Sequence, residues 1–295
     1  MLLLVLGVGA ARPAFLAPDN LRDILINSVT PAIAAAGMTA LIVAGGIDIS
    51  IGSILAVCAV VAASLAKAGW ATPMVLAAAL AAGGVLGGVN GALVAYAGIP
   101  AIIVTLAMLT VLRGLMLWIT GGVWIRNLPP SFSAWTEATP LGLPLPVWLA
   151  AGVALAVGLV MARARWGRWL YAVGSQARSA RLSGVPVQRV TFGAFVLLGA
   201  LVGLAAFVYA SRFSLVQSNA GRGFELQVIT AVVVGGTDIF GGRGAVLGSV
   251  LGVLLLATVE TALTFLHVAP EWVPAVQGSL ILVAVLGDAL RRRGP

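Results

Sequence analysis

The side chains able to do chemistry are few and scattered. The acids are Asp19, Asp23, Asp48, Glu137, Glu225, Asp238, Glu260, Glu271 and Asp288. No paired-carboxylate motif for general acid–base work emerges from them. His267 is the one histidine and Cys58 the one cysteine. No metal cluster can be built from Cys and His alone, and no Ser–His–Asp arrangement is argued from a single histidine in a short loop. Catalytic residues and metal ligands are therefore expected to be absent. No phosphate-binding Lys-Ser/Thr loop is present, so the chain is not expected to hydrolyse ATP in the P-loop manner. An intramembrane aspartyl pair is formally open through Asp48 and Asp238, but both fall at the ends of apolar blocks.

The polar residues inside apolar blocks carry more information. Arg113 lies within Val-Leu-Arg-Gly-Leu-Met-Leu-Trp at 111–118. A centred arginine costs roughly 2.5–3.5 kcal/mol on insertion scales, so it needs a carbonyl, an acid or a water-filled path. Snorkelling or capping of a broken helix is the plainer reading. Asn90 and Thr105 flank a turn at Tyr96–Pro100 and are candidate cavity liners. Glu260 is the one acid well inside a block, as an ion-coupled carrier would need, although no relay accompanies it.

These residues must be positioned by a membrane protein. Of 295 residues, 61% are hydrophobic and 9% charged, against roughly 45–50% and 25% in soluble domains. Mean hydropathy is +1.10. So few charges cannot cover a soluble surface, and disorder fails for the same reason. Apolar blocks near 1–17, 27–45, 50–67, 72–97, 100–120, 145–163, 190–211, 226–241, 244–266 and 272–289 read as about ten spans of an all-α polytopic bundle, one transmembrane domain over 1–295. The first block starts at Met1 without a basic leader. A signal peptide is its rival, disfavoured by Arg12, Pro13 and Phe15 where small residues would sit. The sequence leaves open whether this terminus is complete.

The net charge of +8 reads as topology rather than nucleic-acid binding. The 163–190 connection holds Arg163, Arg165, Arg168, Arg178, Arg181 and Arg189 and no acid, and the tail ends in Arg291, Arg292 and Arg293. Both are expected in the cytoplasm, and with ten spans the N-terminus joins them. The connection over 121–144 then faces outward as a short interfacial segment. Residues 174–182 can form a short helix, with Ser175 as N-cap, Gly184 as terminator and Pro186 beyond. Such a helix suits either a topogenic basic loop or a receiver of force from a soluble motor.

Glycines recur every fourth residue at Gly83, Gly87 and Gly91 and again at Gly244, Gly248 and Gly252, the pattern of close helix packing in lipid. A short internal echo links residues 43–49, Val-Ala-Gly-Gly-Ile-Asp-Ile, with residues 233–239, Val-Val-Gly-Gly-Thr-Asp-Ile. Internal repeats with broken helices at matching places are common in transporters, with chance as the rival explanation.

Four blocks, in order, resemble the permease subunits of bacterial ATP-binding-cassette importers for monosaccharides, the branch with ribose, xylose, rhamnose and autoinducer-2 permeases. They are GMTALIVAGGIDISIGSILAV at 37–57, NGALVAYAGIPAIIVTLAMLTVLRGL at 90–115, GRWLYAVGSQARSARLSGV at 167–185 and AGRGFELQVITAVVVGGTDIFGGRGAVLGSVLG at 220–252. The stretch GGVWIRNLPPSF at 121–132 is most similar to the rhamnose and autoinducer-2 members. The resemblance covers nearly the whole chain. It implies a type II importer fold in the inner membrane, a second permease copy or paralogue, a cytoplasmic ATPase that uses ATP and Mg²⁺, and a periplasmic sugar-binding protein. No cofactor is expected on this chain. By matched position, Gly174, Arg178, Arg181, Leu182, Ser183 and Gly184 fall in the coupling segment. Asp48, Glu225, Thr237 and Asp238 fall in signature blocks and join Asn90, Thr105 and Arg113 as candidates for the translocation path. The sequence departs from the family at Arg222, where a small or neutral residue is common, and at Asp238, where serine is common. Two rivals stand beside this reading: an ion-coupled carrier working alone through Glu260, and a non-transporting membrane scaffold or channel.

Overall fold

The computed structural model describes residue 9 and residues 12–293. Among these, the chain forms eleven α-helices and no β-strand, only an isolated bridge between Ile125 and Val216. The helices are α1 (Pro18–Val43), α2 (Ile51–Lys67), α3 (Thr72–Ala95), α4 (Ala101–Thr120), α5 (Pro130–Glu137), α6 (Leu145–Arg163), α7 (Arg165–Leu182), α8 (Val187–Phe213), α9 (Phe224–Val234), α10 (Val246–Phe265) and α11 (Val273–Arg293). Six of them, α1, α3, α4, α6, α8 and α10, are long and apolar enough to cross a bilayer. Three shorter apolar helices join them: α2, α9 and the 273–283 stretch of α11. The chain is a multi-pass membrane helix bundle. The expected span at 1–17 falls largely outside the described residues.

The span expected at 226–241 is corrected. Helix α9 has 11 residues, about 16 Å at 1.5 Å per residue, which is half the roughly 30 Å of a bilayer core. It stops because Gly236 adopts φ +91° and the Thr237 amide donates back to the Val232 carbonyl at 3.1 Å, a glycine-terminated helix end. The predicted outer segment is present as α5, whose Phe132 and Trp135 pack on Phe207 of α8.

Helices α1 and α8 occupy the centre and are buried along most of their lengths, whereas α3, α4 and α6 each keep an outward face. The outward faces of these three carry Val85, Ile103, Trp118 and Leu155, and α10 adds Leu247. So continuous an apolar exterior is suited to lipid. The most extensive helix interface joins α3 to α8. There the first glycine series acts as expected: a Cβ on Gly83 would strike the Gly199 carbonyl, and one on Gly87 the Phe195 carbonyl. The second series is corrected in part. Gly248 and Gly252 pack against Gly235 and Ala231 of the α9 end, but Gly244 precedes the helix at φ +151° against Thr237.

The bundle has two distinct ends. At one, α7 bridges α6 and α8 beside the C-terminus of α1. At the other, α5 packs on α6 and the C-terminal part of α8. We refer to these as the α7 end and the α5 end.

Candidate functional site

The two copies of the Gly-Gly-x-Asp-Ile sequence fold alike. After α1, Gly45 takes φ +83° and the Gly46 amide donates to Leu41 O at 3.0 Å; after α9, Gly236 and Thr237 repeat the arrangement. In each copy the aspartate then accepts from the amide two residues on. Ser50 N donates to Asp48 Oδ1 at 2.7 Å, and Phe240 N to Asp238 Oδ1 at 3.0 Å. The helix endings are matched 191 residues apart and the aspartate turns 190 apart. The echo is thus a structural repeat with a one-residue slip between its two parts.

The two breaks meet on α7. The Gly242 amide donates to the Val43 carbonyl at 2.9 Å. Gly174 sits on this junction, and a Cβ there would strike the Val43 carbonyl and crowd the Gly242 amide. The Tyr171 hydroxyl donates to the Gly244 carbonyl at 2.9 Å, and burial pushes that phenol's pKa up, keeping it a donor. Two residues beyond Gly174, Gln176 leaves helical geometry at φ −161°, ψ 94°. This break divides α7 into a part anchored to the bundle and a short outer helix.

The outer helix carries Arg178, Arg181, Leu182 and Ser183, all exposed, with Leu182 at 85%. Gly184 ends it at φ +80°, and Val185 N closes onto Ala180 O at 3.0 Å. The predicted terminator is therefore the observed one. The predicted start shifts: the chain breaks at Gln176 rather than at Ser175, and Ser175 makes no side-chain cap. Ser175 packs instead against Gly242. Of the six predicted coupling residues, five are grouped on the exposed tip, while Gly174 lies at its root.

The predicted path residues divide into groups. Asp48 and Asn90 come together in the core. Asn90 Nδ2 donates to Asp48 Oδ2 at 3.0 Å and to Ser50 Oγ at 2.9 Å, and Ser50 Oγ donates to Asp48 Oδ1 at 2.6 Å. Thr105 is also fully buried, its hydroxyl 3.5 Å from the Ile102 carbonyl. Thr237 joins a hydroxyl cluster with Ser249 and Thr39, in which Thr39 Oγ1 donates to Ser249 Oγ at 2.7 Å. Asp238 lies half-buried at the α7 end.

Arg113 and Glu225 form the remaining group. The segment joining α8 to α9 folds into the bundle, where Gly52 at the start of α2 and Gly221 pack backbone to backbone. Arg113 Nη1 donates to the Ala220 carbonyl at 2.7 Å and lies within electrostatic reach of Glu225, whose Oε2 is buried without a hydrogen bond. The carbonyl that a centred arginine requires is thus supplied by a loop more than a hundred residues away.

Sequence reading missed Ser50, Tyr171, Ser249, Gln227 and Gln277. Asp-x-Ser at 48–50 is a readable turn signal. Nothing in the local sequence marks the others, because their partners are distant in the chain. Both Gln227 and Gln277 donate to Glu260 Oε1, at 3.2 and 2.8 Å.

Residues 20–285 match the family described as branched-chain amino acid transport system, permease component, and the chain belongs to that family. Among curated relatives, the ribose import permease of Escherichia coli K12 is 37% identical over 292 residues, covering 98% of this chain and 91% of that relative. Its Haemophilus influenzae counterpart is 34% identical, with 98% and 90% covered. An autoinducer 2 import system permease of Shigella flexneri is 37% identical over 252 residues, with 85% and 73% covered. No solved structure matches the chain.

Proposed function

We propose that this chain is the membrane-spanning subunit of an ATP-driven importer for a small sugar, in the bacterial inner membrane. The observation that carries the proposal is the exposed helix tip at 177–184, rooted through Gly174 at the meeting point of the two helix breaks. Motion imposed on the tip reaches both halves of the repeat without an intervening flexible loop. An apolar Leu182 flanked by two arginines suits docking of a soluble partner: Leu182 supplies the apolar contact, and the arginines supply orientation. That partner is a cytoplasmic ATPase, which uses the ATP and Mg²⁺. A second permease copy or paralogue completes the channel, and a periplasmic binding protein delivers the sugar at the α5 end.

Charge supports this orientation. The α7 end carries Arg163, Arg165, Arg168, Arg178, Arg181, Arg189 and Arg243 with Asp238. Basic residues at the α5 end are interspersed with Asp19, Asp23, Glu137 and Glu271. The excess of arginine supports a cytoplasmic α7 end, and with it a cytoplasmic C-terminus. Arg113 and Glu225 are proposed to face the solute route. Asp48, Asn90, Thr105, Thr237 and Asp238 are proposed to hold the breaks. The substrate class is taken from the ribose and autoinducer 2 relatives rather than from the family description. A carrier driven by an ion gradient would rest on Glu260, whose hydrogen-bond partners are the two glutamines.

The test is co-purification of the tagged chain from native membranes, beside an Arg178→Glu, Arg181→Glu variant. A nucleotide-binding ATPase should accompany the wild type and be lost from the variant, with sugar-stimulated ATP hydrolysis falling at least tenfold. Normal sugar uptake by a variant that reaches the membrane would refute the coupling assignment. Import by the purified chain alone, abolished by a protonophore, would replace the proposal with the ion-coupled reading.

A further inference from the structure

A cavity of about 430 Å³ lies at the α5 end between α1, α8, α9, α10 and α11. That volume is within the usual range for small-molecule sites. Its polar wall consists of Thr30, Tyr209, Arg222, Gln227, Glu260 and Gln277, and Leu55 and Phe224 provide apolar surface. Such a wall is unusual in a bundle whose interior is otherwise dominated by Ala, Val, Leu and Gly. A carboxylate facing lipid would be costly, and intramembrane acids mark binding sites or pathways when they face a cavity. Glu260 does so. Both glutamine amides converge on its Oε1, which fixes the carboxylate's orientation. No hydrogen bond among the described residues takes Oε2.

We propose that this cavity is the first binding subsite for the transported solute, a neutral polyhydroxylated molecule, and that Glu260 is its specificity-determining acceptor. This rests on the sugar-import reading above. One carboxylate and one guanidinium leave the wall without net charge, so a singly charged solute gains one contact and is repelled by the other. Hydroxyl groups can donate to Glu260 Oε2 and accept from Arg222, Thr30 and Tyr209. The C–H face of a sugar ring can lie on Phe224. A buried hydroxyl without a partner is strongly disfavoured, so such a wall discriminates between epimers. The cavity is also tied to the α7 end. Helix α9 starts at its wall with Phe224 and ends at the second break, whose Gly242 and Gly244 touch α1 and α7. One rigid rod of about 16 Å connects solute and coupling helix.

The experiment uses the complete complex of permease, ATPase and binding protein in proteoliposomes, with radiolabelled D-ribose and D-arabinose, its C2 epimer, as probes. Glu260→Gln should lower ribose import at least tenfold and reduce the ribose-to-arabinose ratio at least fivefold, a change of selectivity that a purely structural role would not produce. A second variant, Thr30→Cys with Cys58→Ala, places one thiol in the cavity. A membrane-impermeant maleimide should label it and block import, and ribose-loaded binding protein with ATP should slow labelling at least fivefold. Glu260→Gln importing with unchanged rate and selectivity would overturn the assignment, as would a labelled Thr30→Cys complex that still imports ribose. Should Glu260→Gln fail to reach the membrane, the labelling result decides. ATP-driven uptake of L-leucine by the wild type in place of ribose would instead overturn the sugar reading, and this proposal with it.

Discussion

The two helix breaks share a Gly-Gly-x-Asp-Ile sequence and, with a one-residue slip, the same kinds of turn, yet their surroundings differ. The break after α1 is sealed in the core, with Asp48 exposed at 1% and Asn90 at 0%. Both Asp48 oxygens are occupied, Oδ1 by the Ser50 amide and hydroxyl and Oδ2 by Asn90. The break after α9 leaves Asp238 half-buried and Phe240 exposed, and its following residues rest on α7. A repeated motif thus fixes backbone shape, while its neighbours decide its use. In one copy the aspartate is a clasp between α3 and the start of α2. In the other it shapes a strap against α7.

The clasp should be the more costly to break. Asp48→Ala removes the acceptor for three donors in the core, leaving the Ser50 amide and hydroxyl without it and Asn90 with Ser50 Oγ alone. Loss of one member of a buried charged network costs about 3 kcal/mol or more. We expect the thermal midpoint of the detergent-solubilised protein to fall sharply and membrane accumulation to drop. Asp48→Asn keeps an oxygen for Ser50 and should recover part of the loss. An Asp48→Ala protein with wild-type thermal stability would remove the distinction between clasp and strap.

Gly174→Ala tests where the two breaks meet. The added Cβ strikes backbone rather than a flexible side chain, so α7 or the breaks must shift. Overpacking of this kind costs about 1–3 kcal/mol, below the loss at Asp48, but it acts where both breaks meet α7. Import coupled to ATP hydrolysis should fall at least tenfold while the ATPase still co-purifies, because the exposed tip beyond Gln176 is untouched. Loss of ATPase binding in this variant would show that root and tip are one unit.

Much of this architecture was legible in sequence because apolar length and glycine spacing are local signals. Nine of the ten predicted blocks correspond to observed helices, the glycines of α3 face α8 as their period requires, and Gly184 ends the outer helix of α7. The half-length of α9 was less legible: Thr237 to Phe240 is apolar enough to extend a hydropathy block, but Gly236 turns the chain first. The site was legible only where partners are near in sequence. Asp48 and Ser50 are two residues apart and form a readable turn. Arg113 with Ala220, Tyr171 with Gly244, and Glu260 with Gln227 and Gln277 are joined by packing of distant helices, for which one sequence has no local mark.

The smallest expected effect gives the sharpest comparison, because one substitution can be made at both equivalent positions. At Asp238, serine retains a short side-chain oxygen that can accept from the Phe240 amide, as serine does in such turns. We expect Asp238→Ser to change stability less than the same substitution at Asp48, because Asp238 is half-buried and Asp48 is fully buried. At Asp48, serine can keep the turn but cannot reach both Ser50 and Asn90, since one hydroxyl oxygen replaces two carboxylate oxygens. The fully buried Asn90 amide then loses one of its two acceptors, at a cost of about 1–3 kcal/mol. Thermal unfolding of the two serine variants side by side measures the difference directly. Equal shifts would mean that the shared turn, rather than its neighbours, sets the energetic role of each aspartate. A larger shift at Asp48, with import retained at Asp238, would assign the clasp to the first break and leave the second as the compliant one, the property a strap against a moving helix requires.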